Sequence, residues 1–210
     1  EKRGCGFSTL QKPVQLRSIA QAMRGIVKVV EKATGFFNNL LMDISQVQRN
    51  HDQMVATREG YTISIIDGDM SQPFPFPANS FDLIVHPESN NWIRDVRHLW
   101  RESCRVLKPG GILLAGFANP LLYLFSGDET PADLRVTNKL PYDPIATLSE
   151  EALSKMAENS IQFSHSLESQ IGGQLEAGLQ LTHLLEDVHH EGALAAFTPA
   201  FIATRAVKPA

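Results

Sequence analysis

Apolar residues along the chain fall into short runs separated by polar, glycine- or proline-containing breaks, and their spacing predicts alternating strands and helices. Ser45 to Gly60 sets Val47, Met54, Val55 and the stem of Arg58 near one helical face, with Ser45 placed to cap the helix and Gly60 to end it. Tyr61 to Ile66 alternates β-branched and polar residues and reads as a strand with an acidic tip, DGD. SQPFPFPANS then carries three prolines in five residues, which excludes regular structure and marks a surface loop. Phe81 to Val85 is apolar without alternation, the pattern of a strand near the centre of a parallel sheet covered on both faces.

From Asn91 to Lys108, the positions Trp92, Ile93, Val96, Leu99, Trp100 and Leu107 recur at three- and four-residue steps, predicting a helix with one buried stripe. Lys108 suits its C-terminus and Pro109-Gly110-Gly111 would stop it. GILLAGFANP reads as another buried strand, and three βα repeats imply a parallel sheet with right-handed crossovers. After Pro120 the regularity fades, so residues 121–178 read as an insertion. SEEALSKMAEN within it predicts a short helix with Glu150 and Glu151 in its first turn. IQFSHSLE alternates Ile161, Phe163, His165 and Leu167, and SQIGGQLEAG spaces Ile171 and Leu175 for a helix. Gly172 and Gly173 inside that helix each cost up to about 1 kcal/mol against alanine, so a backbone or a ligand is expected to approach closely there. LQLTHLLED and FIATRAVK close the chain as two strands joined by about a dozen residues.

The length of 210 residues suits one domain spanning 1–210. Nineteen basic against 23 acidic residues give a net charge of -4, and no Lys/Arg stripe runs along any element, which argues against duplex nucleic acid as a partner. The most apolar stretch, Gly110 to Phe125, is broken by Asn119 and Pro120 and falls short of the roughly 20 residues a membrane span needs. Cys5 and Cys104 form no C-x-x-C and no zinc spacing, and no secretory leader is evident, so a reducing, cytoplasmic setting is expected. The chain begins at Glu1 without a methionine, which reads as trimmed N-terminal sequence that can include a first element.

MDIS, GDM, FDLIVHP and LKPGG, in this order and spacing, resemble a class I S-adenosylmethionine-dependent methyltransferase. LLYLF, FSHSLESQIGGQLEAG and FIATRAVKP resemble a bacterial branch of small methyltransferases of undefined substrate, and the likeness runs from Asp43 to the C-terminus. It implies an α/β, Rossmann-like fold: a mostly parallel seven-stranded sheet closed by a final antiparallel hairpin, with S-adenosylmethionine at the carboxyl ends of the strands. It also implies a small-molecule methyl acceptor on the side of the 121–178 insertion, and is compatible with a homodimer.

Asp43 ends a predicted strand, where a carboxylate can accept hydrogen bonds from both ribose hydroxyls of a nucleotide. Capping of the next helix is the alternative. Ile44 stands beside it. By the resemblance Asp69 accepts from the adenine amine with Met70 against the ring face; the alternative is an Asx-turn at Asp67 or Asp69. His86 follows the strand Phe81–Val85, at the crevice where open α/β sheets bind ligands, placed to align or deprotonate an acceptor. Alternatively it is a packed histidine bonded to a neighbouring loop. Ser89 and Asn90 are positioned for the cofactor's amino-acid end. His165 stands beside His86 as a candidate catalytic group, with Gln170 and the Gly172-Gly173 pair on the acceptor side, against the alternative of hairpin and helix packing. His98 reads as solvated, Trp92 and Trp100 as core, and His189-His190 as a loop without further ligands, so no metal site is expected.

The family's glycine-rich turn after its first strand has no counterpart between Pro13 and Asp43, where only Gly25 and Gly35 occur. A deletion or reading-frame slip within 14–42, a degenerate cofactor site, or residues absent from the sequence would each account for it. The function expected is methyl transfer to a small molecule. The rival is a non-catalytic binding or dimerising scaffold, and a nicotinamide enzyme is disfavoured by the same gap and by LKPGG.

Overall fold

The computed structural model describes residues 39–60, 62–126, 130–156, 161–187 and 193–210. The segment 14–38 and the His189-His190 pair lie outside them, as does Cys5. Strand β1 (Asn39–Asp43) leads into helix α1 (Gln46–Glu59), which returns the chain to β2 (Ile63–Asp67). The two strands pair in parallel, with Asp43 opposite Asp67. Ser45 caps α1 by accepting from the Gln48 N–H, and Gly60 ends it at φ 72, a left-handed conformation that glycine adopts without cost. The expected apolar face is corrected: Val47 and Met54 are exposed, and Ala56 is the fully buried position. Arg49, half-buried on the same helix with Asp52 and Val55, reaches to the strand ends.

Strand β3 (Phe81–Pro87) precedes α2 (Val96–Val106) and β4 (Leu107–Ala118). The small hairpin β5 (Phe125–Ser126) with β6 (Arg135–Val136) follows, then short helices α3 (Pro144–Thr147) and α4 (Glu150–Lys155), the latter capped by Ser149. A π-turn, Glu168–Gly172, runs into α5 (Gly173–Glu176), and β7 (Gln180–Asp187) and β8 (Phe201–Val207) end the chain. The order of the larger sheet is β3–β4–β8–β7, with β3 and β4 parallel and β4–β8 and β8–β7 antiparallel. The mostly apolar β3 is thus an edge of this four-stranded sheet among the described residues, not its centre. The expected final hairpin is β7–β8.

Two further expectations change. The helix spans Val96–Val106 with Asp95 as its N-cap, and Ser89–Trp92 is a separate 3-10 turn that leaves Trp92 exposed. Leu107 matched the helical stripe because strand and helix feed one core: Ile93, Val96, Leu99 and Trp100 meet Leu107, Leu113, Ala115, Leu179 and Ala206. Lys108-Pro109-Gly110-Gly111 belongs to β4, where Lys108 pairs with Asp82 and the Gly110 N–H donates to the Lys208 carbonyl. Residues 161–166 form no strand, because their backbone bonds go to loops: Phe163 donates to the Asn91 carbonyl and Ser164 to that of Tyr142.

Burying one side chain of the size of Leu99 contributes about 1.5 to 3 kcal/mol, and α2 places its whole apolar stripe in this core. The close approach expected at Gly172-Gly173 is a side chain. A Cβ on Gly173 would sit 2.9 Å from Trp100 Cδ1, whereas one on Gly172 meets only Glu168 Cγ at 3.7 Å. The proline-rich loop is pinned by Arg105, which donates to the Phe74 and Phe76 carbonyls at 3.0 and 2.8 Å, while Glu102 accepts from the Phe74 N–H at 2.6 Å.

Candidate functional site

Two groups of polar residues gather at the carboxyl ends of parallel strands. On β1 and β2, Arg49 donates to the Asp43 carbonyl at 2.6 Å and pairs with Asp67 Oδ1 at 2.8 Å. Asp43 Oδ1 accepts from the Ser45 N–H at 2.7 Å. The capping role is therefore held by Ser45, and Asp43 Oδ2 accepts no hydrogen bond among the described residues. Asp69 Oδ1 accepts from the Ser71 N–H at 2.8 Å, which is the Asx-turn. Ile44 is 63% exposed beside Asp43, and Met70 packs against the main core. A Cβ at Gly68 would lie 2.5 Å from Met42 Cγ, so a larger residue there requires the Met42 side chain to move.

The second group starts where β3 ends. His86 is buried, its ring edge-on to Trp100 with centroids 5.8 Å apart, and burial pushes its pKa down to about 4. Its Nε2 is buried with no hydrogen-bond partner, so it is not tied to a neighbouring loop through that atom. Glu88 follows in the left-handed region at φ 49, its N–H extending the β3–β4 ladder to the Gly116 carbonyl at 2.9 Å. The residue as a whole is 8% exposed, and burial pushes its pKa up to about 8.

Asn90 is a hub. Its Nδ2 donates to Gln170 Oε1 at 2.9 Å, and its carbonyl lies 3.1 Å from His165 Nε2. A carbonyl only accepts, so His165 carries a proton on that nitrogen. His165 has its pKa lowered, first by burial. Gln174 Nε2 donates to the Gln170 carbonyl at 3.1 Å, and Thr204 Oγ1 donates to Gln174 Oε1 at 3.0 Å. This buried relay ties the loop after β3 to α5 and β8. Its amide engaged, Asn90 leaves Ser89 as the member of the pair whose side chain makes no bond among the described residues.

Asn91 Nδ2 donates to the Tyr123 hydroxyl at 3.4 Å, which donates to Gln162 Oε1 at 3.2 Å, while Asn91 Oδ1 is buried without a partner. Tyr123 stacks on Tyr142 with centroids 5.9 Å apart, and burial raises the Tyr123 pKa. The sequence reading singled out His86, Ser89 and Asn90 but passed over Glu88, Asn91, Tyr123, Tyr142 and Gln162. The one available signal was the density of polar residues in HPESNN directly behind an apolar strand. His98, expected in solvent, is half-buried with Nε2 buried and unpartnered. No cluster of three or more His, Cys, Asp or Glu able to hold a metal occurs among the described residues, and no helix there is long and apolar enough to cross a membrane.

A family model described as a methyltransferase domain matches residues 22–115. It starts inside the segment 14–42 that on sequence alone looks unlike the family. The uncharacterized methyltransferase YbaJ of Bacillus subtilis is 41% identical over 150 residues, which are 70% of this chain and 59% of that protein. A sterol 24-C-methyltransferase of Aspergillus fumigatus is 35% identical over 91 residues, 42% of this chain and 22% of that protein. The chain thus spans only part of the length of either relative. A crystal structure of an S-adenosylmethionine-dependent methyltransferase from Mesorhizobium loti superposes with a TM-score of 0.54 at 17% identity, covering 80% of this chain and 79% of that one. Over residues 22–115 the chain is thus similar to the S-adenosylmethionine-dependent methyltransferase family, and it shares that family's Rossmann-like fold. The cofactor of this family is S-adenosylmethionine.

Proposed function

We propose that the chain transfers a methyl group from S-adenosylmethionine to a small-molecule acceptor bound among His86, Glu88, Asn91 and Tyr123. The observation that carries this reading is two orphaned atoms, His86 Nε2 near the end of β3 and Asn91 Oδ1 five residues further on, both buried without a partner. Folded proteins leave few such atoms unpaired, and a polar ligand satisfies them.

The acceptor set at the β1 and β2 ends fits the cofactor. Asp43 Oδ2 would accept from ribose hydroxyls and the second Asp69 oxygen from the adenine amine, with exposed Ile44 beside them and Ser89 toward the amino-acid end. When bound, S-adenosylmethionine supplies an electrophilic sulfonium methyl. The chain's own task is then to hold and align the acceptor. With a pKa of about 4, His86 is a weak base at neutral pH, so its role is to orient the acceptor by hydrogen bonding. His165, fixed by the Asn90 carbonyl, sets the loop rather than taking a proton at Nε2.

The test is to incubate the chain with methyl-tritiated S-adenosylmethionine and a cell extract, then separate small molecules, protein and nucleic acid. Label is expected in the small-molecule fraction and is expected to fall about tenfold or more with Asp43→Ala. Label confined to protein or nucleic acid would overturn the proposal.

A further inference from the structure

Buried polar side chains run from an inner strand of the larger sheet to the loop after β3. His86, Ala115 and Thr204 stand opposite one another on β3, β4 and β8, so they form one row across the sheet and share a face. Two strand spacings put Thr204 about 10 Å from His86, out of direct reach. From Thr204 the connection returns through side chains. Its hydroxyl donates to Gln174 Oε1 at 3.0 Å, Gln174 Nε2 donates to the Gln170 carbonyl at 3.1 Å, and Gln170 Oε1 accepts from Asn90 Nδ2 at 2.9 Å. Sheet, relay and the residues between His86 and Asn90 thus close into one circuit.

Every member of the relay is buried, Gln174 completely. Buried carboxamides cost free energy unless they are paired, and a paired network rigidifies what it joins. What this one joins is a segment that does not hold its shape unaided. Glu88 lies in the left-handed region at φ 49, a conformation uncommon outside glycine that persists when the surrounding structure enforces it. Two residues on, Asn90 is held by the relay at its amide and by His165 Nε2, which donates to its carbonyl at 3.1 Å. The far end is fixed as well: Gln170 sits in the π-turn, whose Ser169 carbonyl accepts from Trp100 Nε1 at 3.1 Å.

We propose that Gln170, Gln174 and Thr204 are positioning residues: through Asn90 they hold the loop 88–92 in the form that receives ligand, so that a hydroxyl on the last strand governs binding at the end of β3 without touching the ligand. The inference rests on reading the end of β3 as the ligand site, with Ser89 toward the cofactor's amino-acid end. No bond is made or broken by the relay. Its members act by fixing geometry.

The test is a double-mutant cycle of Thr204→Val and Gln170→Met, with Thr204→Ser as the conservative control that keeps the hydroxyl. Two quantities are read: the affinity for S-adenosylhomocysteine by calorimetry, and the side-chain amide resonances of Asn90 in ¹⁵N-labelled protein, assigned by their loss in Asn90→Asp. Thr204→Val is expected to weaken binding about fivefold and to shift the Asn90 amide signals, and Thr204→Ser to leave both near the wild type. In the Gln170→Met background Thr204→Val is expected to change neither further, because the connection is already cut. Gln174→Met makes the same cut from the middle of the relay and replaces Thr204→Val if that variant does not fold. Effects that add, or a loss of thermal stability that leaves the Asn90 signals unmoved, would overturn the inference. If S-adenosylhomocysteine does not bind the wild type, the methyltransferase reading is defeated and the Asn90 signals, which need no ligand, decide the relay; binding with additive losses defeats only the relay.

Discussion

The His86 and Trp100 rings stand nearly perpendicular, at an interplanar angle of 88° with centroids 5.8 Å apart, while two residues on, Glu88 is buried without a salt-bridge partner among the described residues. These neighbours have opposite effects on the pH dependence of folding. His86 has its pKa lowered from 6.5 to about 4, so between those values the unfolded chain binds the proton and stability rises with pH. Glu88 has its pKa raised from 4.5 to about 8, so across that range the folded chain keeps the proton and stability falls with pH.

Between about pH 4.5 and 6.5 the two slopes cancel, each being about 1.4 kcal/mol per pH unit. Each single variant removes one of them. Glu88→Gln is expected to gain stability as pH rises from 4.5 to 6.5, and His86→Gln to lose it, measured by urea unfolding at several pH values. Parallel profiles for the two variants would show that the loop after β3 is not packed as described.

Gly173→Ala is expected to destabilise by about 1 to 3 kcal/mol, because its Cβ would lie 2.9 Å from Trp100 Cδ1 and 3.4 Å from Arg97 Cγ. Gly172→Ala meets only Glu168 Cγ at 3.7 Å and gains the helix propensity of alanine, up to about 1 kcal/mol. Thermal unfolding should therefore move in opposite directions for adjacent glycines. Equal shifts would remove the contact with Trp100 as the explanation.

The sequence carried the elements better than their surroundings. Ser45 and Gly60 mark α1 because capping chemistry is local, and the β7–β8 pair is readable because alternation and a break lie in one stretch. The end of α2 was misplaced because Leu107 serves a core shared by helix and strand, so its period fits both. Asp43, Asp69 and His86 could be picked out as strand-end residues. Glu88 could not, since an acid in a polar loop gives no sign that it will be buried, and Tyr123, Tyr142 and Gln162 join the site only through loops far apart in sequence.

Arg105 holds the proline-rich loop to α2 with two carbonyl contacts besides its pair with Glu102. Arg105→Ala is expected to cost about 1.5 to 3 kcal/mol, the usual worth of hydrogen bonds to a charged group, and to expose residues 73–77 to proteolysis. An unchanged cleavage pattern would mean that the prolines hold this loop without the arginine.

The central claim is a working cofactor site at the ends of β1 and β2. Calorimetric titration of S-adenosylhomocysteine tests it most directly, run on the wild type, on Asp43→Ala and on His98→Ala, whose side chain lies on α2. One-to-one binding is expected for the wild type and unchanged for His98→Ala, and weaker by about 1.5 to 3 kcal/mol, roughly 10- to 150-fold, for Asp43→Ala. No saturable binding to the wild type, or equal affinity with and without the Asp43 carboxylate, would contradict the account.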